Sequence, residues 1–131
     1  MRIMVVDDEL VSRMKMKKIL SGFGEIVPVE NGKDAIDLFR KSVTEGSEID
    51  LITMDIEMPE VDGIEALFEI REIEKKLKRD KPVKILMVTS HAHKDYIITS
   101  VQAGCNEYVV KPFTKETVLK KLFALDVPIP V

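Results

Sequence analysis

Five short apolar runs alternate with five longer segments along the chain, and this alternation limits the possible folds more than any other feature. The runs are rich in Val, Ile, Leu and Met, and they predict strands at 2–6, 25–29, 50–54, 83–88 and 107–110. The segments carry apolar residues at helical spacing, and they predict helices near 10–21, 33–45, 63–79, 94–103 and 115–124. Five strand–helix units imply a parallel sheet with helices on both faces.

The composition of the runs predicts the order of the strands. The first, third and fourth runs are almost entirely apolar, which is typical of strands covered on both faces. The second run contains Pro28, which cannot donate to a neighbouring strand, and the fifth is less apolar, so both are predicted at sheet edges. These requirements fit the order 2-1-3-4-5 in a doubly wound sheet. Its binding crevice is expected at the carboxyl ends of strands 1 and 3.

Composition excludes several classes of function. The chain has 131 residues, which suits one domain, and its 20 basic and 23 acidic side chains give a net charge of −3. This balance gives no support to direct binding of nucleic acid or of a membrane surface. Cys105 is the only cysteine, so a disulfide within the chain is excluded and a reducing, cytoplasmic location is expected.

Four predicted strands end in residues with reactive or charged side chains. These are Asp7-Asp8, Asp55, Thr89-Ser90 and Lys111-Pro112, after strands 1, 3, 4 and 5. Two carboxylates about 4 Å apart repel each other by roughly 4 kcal/mol at an effective dielectric constant near 20. A cation is therefore needed, and an all-oxygen set of ligands suits Mg²⁺. A carboxylate beside Mg²⁺, a hydroxyl and a lysine is suited to phosphoryl transfer.

Four segments together resemble the receiver domain of two-component response regulators. They read VVDDE, MDIEMPEVDG, MVTSHA and EYVVKPF, and the resemblance runs from Ile3 to about Leu122. It is closest to the single-domain chemotaxis type. The resemblance implies a flavodoxin-like fold with five strands and five helices. The family is itself a standard example of the 2-1-3-4-5 order, so the resemblance and the predicted order are not independent.

The resemblance also implies a role for each acidic residue. Asp55 corresponds to the aspartate that accepts the phosphoryl group. Asp7 and Asp8 correspond to the acidic pair that holds Mg²⁺ together with Asp55, and Glu57 lies where the metal takes a backbone carbonyl.

Further roles carry over to residues around the phosphoryl group. Thr89 corresponds to the hydroxyl that follows this group on activation, Lys111 to the lysine that contacts it, and Tyr108 to an aromatic coupled to the hydroxyl. The Lys111–Pro112 bond resembles one that is cis in the family. Glu57 and His91 occupy two positions that influence how long the phosphoryl group survives.

The implied function is signalling and not turnover of a substrate. A sensor histidine kinase would donate the phosphoryl group, and the domain would catalyse only its own phosphorylation and dephosphorylation. The face formed by strand 4, helix 4, strand 5 and helix 5 would then shift to control a downstream protein. We expect residues 1–125 to form this domain, and residues 126–131 to form a tail or the start of a linker.

Two other functions compete with this interpretation. The first is a small Mg²⁺-dependent phosphohydrolase of the haloacid-dehalogenase kind, which also uses Asp, Thr or Ser, and Lys. That chemistry requires a second Asp two residues after the nucleophile, where this chain has Glu57, and a cap domain for which the chain is too short. The second is a purely structural flavodoxin-like protein, which gives no reason for three acids, a hydroxyl and a lysine at one crevice.

Overall fold

Strands and helices alternate along the chain as predicted. The structure, a computed structural model, describes residues 1–90, 94–128 and 130. The strands are β1 (Arg2–Val6), β2 (Glu25–Val29), β3 (Leu51–Asp55), β4 (Lys84–Thr89) and β5 (Glu107–Val110). The helices are α1 (Leu10–Leu20), α2 (Gly32–Glu45), α3 (Gly63–Lys76), α4 (Lys94–Ala103) and α5 (Lys115–Ala124). The largest difference from the prediction is the end of α3, which lies at Lys76 and not at position 79.

The five strands form one parallel sheet in the order β2-β1-β3-β4-β5, which confirms the predicted topology. Pro28 lies opposite Val5 in the edge strand β2, where its missing N–H costs least. β1 pairs directly with β3, and Val6 lies opposite Met54. The carboxyl ends of these two strands are therefore neighbours, as the predicted crevice requires.

Two separate apolar cores cover the two faces of the sheet. Side chains of a strand point alternately to opposite faces, so Met4 and Val6 belong to one core and Ile3 and Val5 to the other. Helices α2 and α3 complete the first core, and α1 and α5 complete the second. The sheet is covered on both sides, which explains why its central strands are buried at every position but the first of β1 and of β4.

Helix α1 exposes two of the apolar residues that were expected to pack. Val11 and Met14 are exposed, whereas Met16 and Leu20 are buried against the sheet. Apolar spacing alone does not distinguish the exposed Met14 from the buried Met16. The cause is Arg13, which occupies a position facing the protein and donates a 2.7 Å hydrogen bond to the Asp7 carbonyl. Because this inward position carries a charged residue, the spacing of apolar residues does not indicate which face of α1 is buried.

Other helices also carry apolar side chains on their outer surfaces. Phe68 of α3, Ile98 and Val101 of α4 and Phe123 of α5 are exposed. Apolar spacing therefore predicted each helix correctly but did not identify which of these residues are buried. Within the described residues, no helix combines the length and the apolar character needed to cross a membrane.

Candidate functional site

The carboxyl ends of β1 and β3 bring three aspartates together. Asp7 follows β1 directly, Asp8 is next, and Asp55 is the last residue of β3. One carboxylate oxygen from each of the three lies within 4.8 Å of the others. Asp7 and Asp55 are only 4% and 2% exposed, whereas Asp8 is exposed to solvent. The site therefore has two buried acids and one that opens to the outside.

Lys111 provides the positive charge at this site, as predicted. Its Nζ lies 3.0 Å from Asp7 Oδ2 and 3.6 Å from Asp55 Oδ2. Its backbone N–H donates to the Thr89 carbonyl at 2.7 Å, which fixes the loop after β5 against the end of β4. The Lys111–Pro112 peptide bond is cis, as the resemblance implies.

Glu9 is a member of the site that the sequence analysis missed. Its Oε1 lies 3.2 Å from Lys111 Nζ, and its backbone N–H donates to Asp7 Oδ1 at 2.9 Å. Glu9 precedes α1, so its acidic side chain was indistinguishable from an ordinary helix-start residue. The only available signal was its position directly after Asp7-Asp8.

The electrostatics of the site favour a protonated Asp55 when no metal is bound. Burial and the neighbouring charges of Asp7 and Glu57 raise the pKa of Asp55 to about 8, although Lys111 opposes this shift. Burial alone would lower the pKa of Lys111, but its contacts with Asp7 and Asp55 outweigh that effect and raise it. Asp55 Oδ1 is buried and has no hydrogen-bond partner among the described residues. A cation at this oxygen would both satisfy it and relieve the repulsion between the acids.

The loop between β3 and α3 is held close to Asp55 by a glycine. A Cβ atom at Gly63 would lie 2.1 Å from the Asp55 carbonyl oxygen, so no other residue fits there without a backbone shift. The Gly63 N–H donates to the Ile56 carbonyl at 2.9 Å, and Asp62 caps α3 by accepting from the Glu65 N–H at 2.9 Å. Asp62 is therefore the N-terminal cap of α3.

The carboxylate of Glu57 points toward β4. Its Oε1 accepts a 2.7 Å hydrogen bond from the Thr89 hydroxyl, and its Oε2 accepts from the Ser90 N–H at 3.3 Å. Glu57 still acts on Asp55 through its charge. Glu57 thus lies close to the metal-binding acids, but its carboxylate is bonded to Thr89 and Ser90 at the end of β4.

Comparison with known proteins identifies the family. Residues 3–123 match the family model of the response regulator receiver domain. The chain belongs to this family. Its relatives include the chemotaxis protein CheY of Bacillus subtilis, 37% identical over 92% of this chain and 93% of that protein. A CheY homologue of Campylobacter jejuni is 36% identical over 93% of this chain and 89% of that protein.

Solved receiver structures share the fold. The receiver domain of a histidine kinase from Arabidopsis thaliana, complexed with Mg²⁺ and BeF₃⁻, has a TM-score of 0.80 and 29% identity. That match covers 92% of this chain and 88% of the plant domain. CheY from a CheX–CheY complex of Borrelia burgdorferi, also with BeF₃⁻ and Mg²⁺, has a TM-score of 0.81 and 26% identity, covering 97% and 90%. The protein is therefore a receiver domain of the chemotaxis type, a signalling domain, and the phosphohydrolase alternative is not favoured.

Tyr108, a further predicted residue of the receiver domain, lies outside the acidic cluster. Tyr108 is half-buried, packs against the first core, and has Lys121 Nζ 4.7 Å from its ring centre. It pairs with Met87 in the register of β4 and β5, so it lies on the same sheet face as Thr89, two residues further along β4. His91, predicted to tune dephosphorylation, lies outside the described residues.

Proposed function

We propose that this receiver domain accepts a phosphoryl group from a sensor histidine kinase onto Asp55. One observation carries the proposal: Asp55 is buried at the end of a central strand, its Oδ1 has no hydrogen-bond partner among the described residues, and Lys111 Nζ lies 3.6 Å from its Oδ2. A carboxylate of this kind has no structural use at a sheet end. It is suited to act as a nucleophile beside a positive charge.

The oxygen ligands fit Mg²⁺. Asp7, Asp8 and Asp55 would hold the ion, together with the backbone carbonyl of Glu57, and the cluster contains no sulfur or imidazole. When bound, Mg²⁺ supplies positive charge to the oxygens of the transferred group and replaces the proton on Asp55. The orphaned Asp55 Oδ1 supports this assignment because a buried carboxylate oxygen otherwise requires a donor.

The residues of the chain divide the transfer step between them. A carboxylate oxygen of Asp55 attacks the phosphorus of a phosphohistidine; the new O–P bond forms as the P–N bond breaks, and the imidazole nitrogen keeps the electron pair. Lys111 then stabilises the charge on the phosphoryl oxygens, and the Thr89 hydroxyl donates a hydrogen bond to one of them. The resemblance to the family implies that the residues at positions 57 and 91, Glu57 and His91, would set the rate of hydrolysis of the acyl phosphate. No external substrate is turned over.

Exposed apolar residues on α1 suit the docking of the phosphodonor. Leu10, Val11 and Met14 are exposed beside the crevice, because α1 begins two residues after Asp8. Apolar side chains clustered at the edge of a reactive site favour protein contact. With a histidine kinase that phosphorylates the wild type, Val11→Lys should slow phosphotransfer at least fivefold, while labelling by acetyl phosphate stays unchanged. Equal slowing of both reactions would exclude docking on α1.

The output is proposed on the face formed by β4, α4, β5 and α5. Thr89 lies at the end of β4, and Tyr108 lies on β5 on the same side of the sheet. Ile98, Val101 and Phe123 leave apolar surface on α4 and α5 for a downstream protein. Movement of Thr89 toward the phosphoryl group would open space that the Tyr108 ring can enter, which changes this surface.

The extent and location of the domain are also proposals. We assign residues 1–125 to the receiver domain and 126–131 to a tail or the start of a linker, with Val127 packed against the second core. The cytoplasm is the proposed location, since a chain with a single cysteine suits a reducing compartment. Contact with nucleic acid or membrane is not part of the proposal.

The test of this function is a phosphorylation assay with a small donor. The protein is treated with acetyl phosphate, with and without Mg²⁺, and its intact mass is measured. One phosphoryl adduct is expected with Mg²⁺, labile in base, and none in Asp55→Asn. Glu48→Gln, at the other end of the sheet, is the control and should label like the wild type. An adduct that persists in Asp55→Asn, or one that forms equally without Mg²⁺, would contradict the proposal.

A further inference from the structure

A hydrogen bond joins the end of β4 to the loop that follows β3. Thr89 is fully buried, and its hydroxyl donates to Glu57 Oε1 at 2.7 Å. The other oxygen of Glu57 accepts from the Ser90 N–H at 3.3 Å. These residues are far apart in sequence, and the pairing of β3 with β4, with Asp55 opposite Val88, brings them together. The contact is thus a product of the sheet register.

The chemistry of a hydroxyl makes this contact exclusive. A threonine hydroxyl has one proton and can donate one strong hydrogen bond at a time. An ionised carboxylate can only accept, so Glu57 accepts the hydrogen bond from Thr89 and donates none to it. A bond of this kind, with a charged acceptor, is stronger than one between neutral groups. While it exists, Thr89 cannot donate to a phosphoryl oxygen on Asp55.

We propose that Glu57 is a positioning residue that competes with the phosphoryl group for the hydrogen bond that the Thr89 hydroxyl donates. The inference rests on the proposed function, because it requires a phosphoryl group on Asp55. In the resting domain the carboxylate of Glu57 holds the Thr89 hydroxyl directed toward itself. Phosphorylation adds a group with a charge of roughly −2 near Glu57, which repels the carboxylate and offers Thr89 a more charged acceptor. Release of Glu57 is then a required part of activation.

Substitution of Glu57 should separate its hydrogen bond from its charge. Glu57→Ala removes both, so that this carboxylate no longer accepts from the Thr89 hydroxyl before a phosphoryl group arrives. Glu57→Gln removes the charge but keeps a carbonyl oxygen that can accept from Thr89. Thr89→Val removes the hydroxyl while keeping a similar shape in a buried site. These changes form a double-mutant cycle that isolates the coupling between the two residues.

The experiment measures binding of beryllofluoride in the presence of Mg²⁺, with the bound fraction read by fluorine NMR. Relative to the wild type, Glu57→Ala should bind this phosphoryl mimic about tenfold more tightly, which is the scale of one hydrogen bond to a charged group. Glu57→Gln should fall between the two. In the Thr89→Val background, the effect of Glu57→Ala should be at least fivefold smaller than in the wild type. Denaturant unfolding of each variant checks that the mimic meets a folded domain.

The outcomes separate this inference from the function on which it rests. If Glu57→Ala changes the affinity by the same factor with and without the Thr89 hydroxyl, Glu57 acts through charge alone and the inference is overturned. The same holds if Glu57→Ala has no effect. If the wild type itself binds no beryllofluoride and takes no phosphoryl group from acetyl phosphate, the proposed function fails first.

Discussion

The two ends of the sheet treat buried charge in opposite ways. At the amino ends of β4 and β5, Arg71 donates to Glu74 at 2.6 Å, to the Val83 carbonyl at 2.8 Å and to Asn106 at 3.0 Å. Its Nε donates to the Gly104 carbonyl at 2.9 Å, and Glu74 accepts from the Val83 N–H at 2.6 Å. At the carboxyl ends of β1 and β3, Asp55 lies beside two other aspartates, and its Oδ1 has no partner in the part of the chain that the structure describes.

This difference shows which buried charges serve the fold and which serve the chemistry. The cation at the amino end has a matching anion and an acceptor for each nitrogen, so it ties α3 to the starts of two strands. The acids at the carboxyl end outnumber Lys111, and the pKa of Asp55 rises because burial and Asp7 disfavour its charge. A buried charge without a matching partner is typical of a ligand-binding or catalytic site.

The largest predicted effect breaks the matched end. Arg71→Met should lower the free energy of unfolding by about 3 to 5 kcal/mol, because it leaves Glu74 buried without its cation. Urea denaturation followed by circular dichroism measures this. Lys75→Met, on the exposed side of the same helix, is the control and should change stability by less than about 0.5 kcal/mol. A loss below about 1 kcal/mol for Arg71→Met would show that the network contributes little.

A second variant tests how tightly the unmatched end is built. Gly63→Ala should destabilise the fold by about 2 to 3 kcal/mol, since its Cβ would collide with the Asp55 carbonyl oxygen. It should also weaken Mg²⁺ binding by displacing Asp55. Gly22→Ala is the matched control, because its Cβ would meet only a Pro130 side-chain atom at an ordinary 3.6 Å. Similar stability for the two variants would contradict a close-packed loop.

The third prediction has the opposite sign and depends on pH. In the unfolded chain Asp55 titrates near 4, and in the folded, metal-free protein its pKa is about 8, so the fold loses stability as pH rises between these values. Asp55→Asn removes this loss and should be more stable than the wild type by roughly 1 to 2 kcal/mol at pH 9 without Mg²⁺, and by less at pH 5.

Denaturant unfolding at both pH values measures this difference. Asp80→Asn changes an exposed acid near the amino ends of the strands and should behave like the wild type at each pH. A constant difference between Asp55→Asn and the wild type from pH 5 to pH 9 would disprove the raised pKa.

The smallest predicted effect concerns the cation itself. Because Asp55 holds a proton below about pH 8, Mg²⁺ must displace that proton, and its affinity should rise roughly fivefold from pH 7 to pH 8. Calorimetric titrations in buffers of different ionisation enthalpy report the released proton. An affinity that is flat across this range would mean that Asp55 is already ionised.

Sequence alone predicted most of the fold because its signals are local. Pro28 marked an edge strand, the apolar runs marked the central ones, and the acids at the strand ends marked the crevice. The buried face of α1 was not predictable, because Arg13 takes an inward position that only its bond to the Asp7 carbonyl explains.

The missing details of the site share one physical cause. Glu57 bonds to Thr89, and Glu9 bonds to Lys111, across large distances in sequence. Such partners depend on the register of the strands and on side-chain direction, which no local pattern contains. The Arg71 network was missed for the same reason, since its acceptors come partly from the loops that precede β4 and β5.

The loop that follows Asp55 is also fixed from the side of α2. A Cβ atom at Gly32 would lie 2.4 Å from the Val61 carbonyl oxygen, so α2 begins in direct contact with this loop. In a mutational scan, substitutions of Gly32 should therefore be depleted as strongly as those of the acidic residues, although Gly32 carries no functional group. Depleted variants at such a position would suggest a catalytic role to a reader of the scan alone. The structure gives a simpler reason, which is that the loop and the helix share a space that holds no side chain.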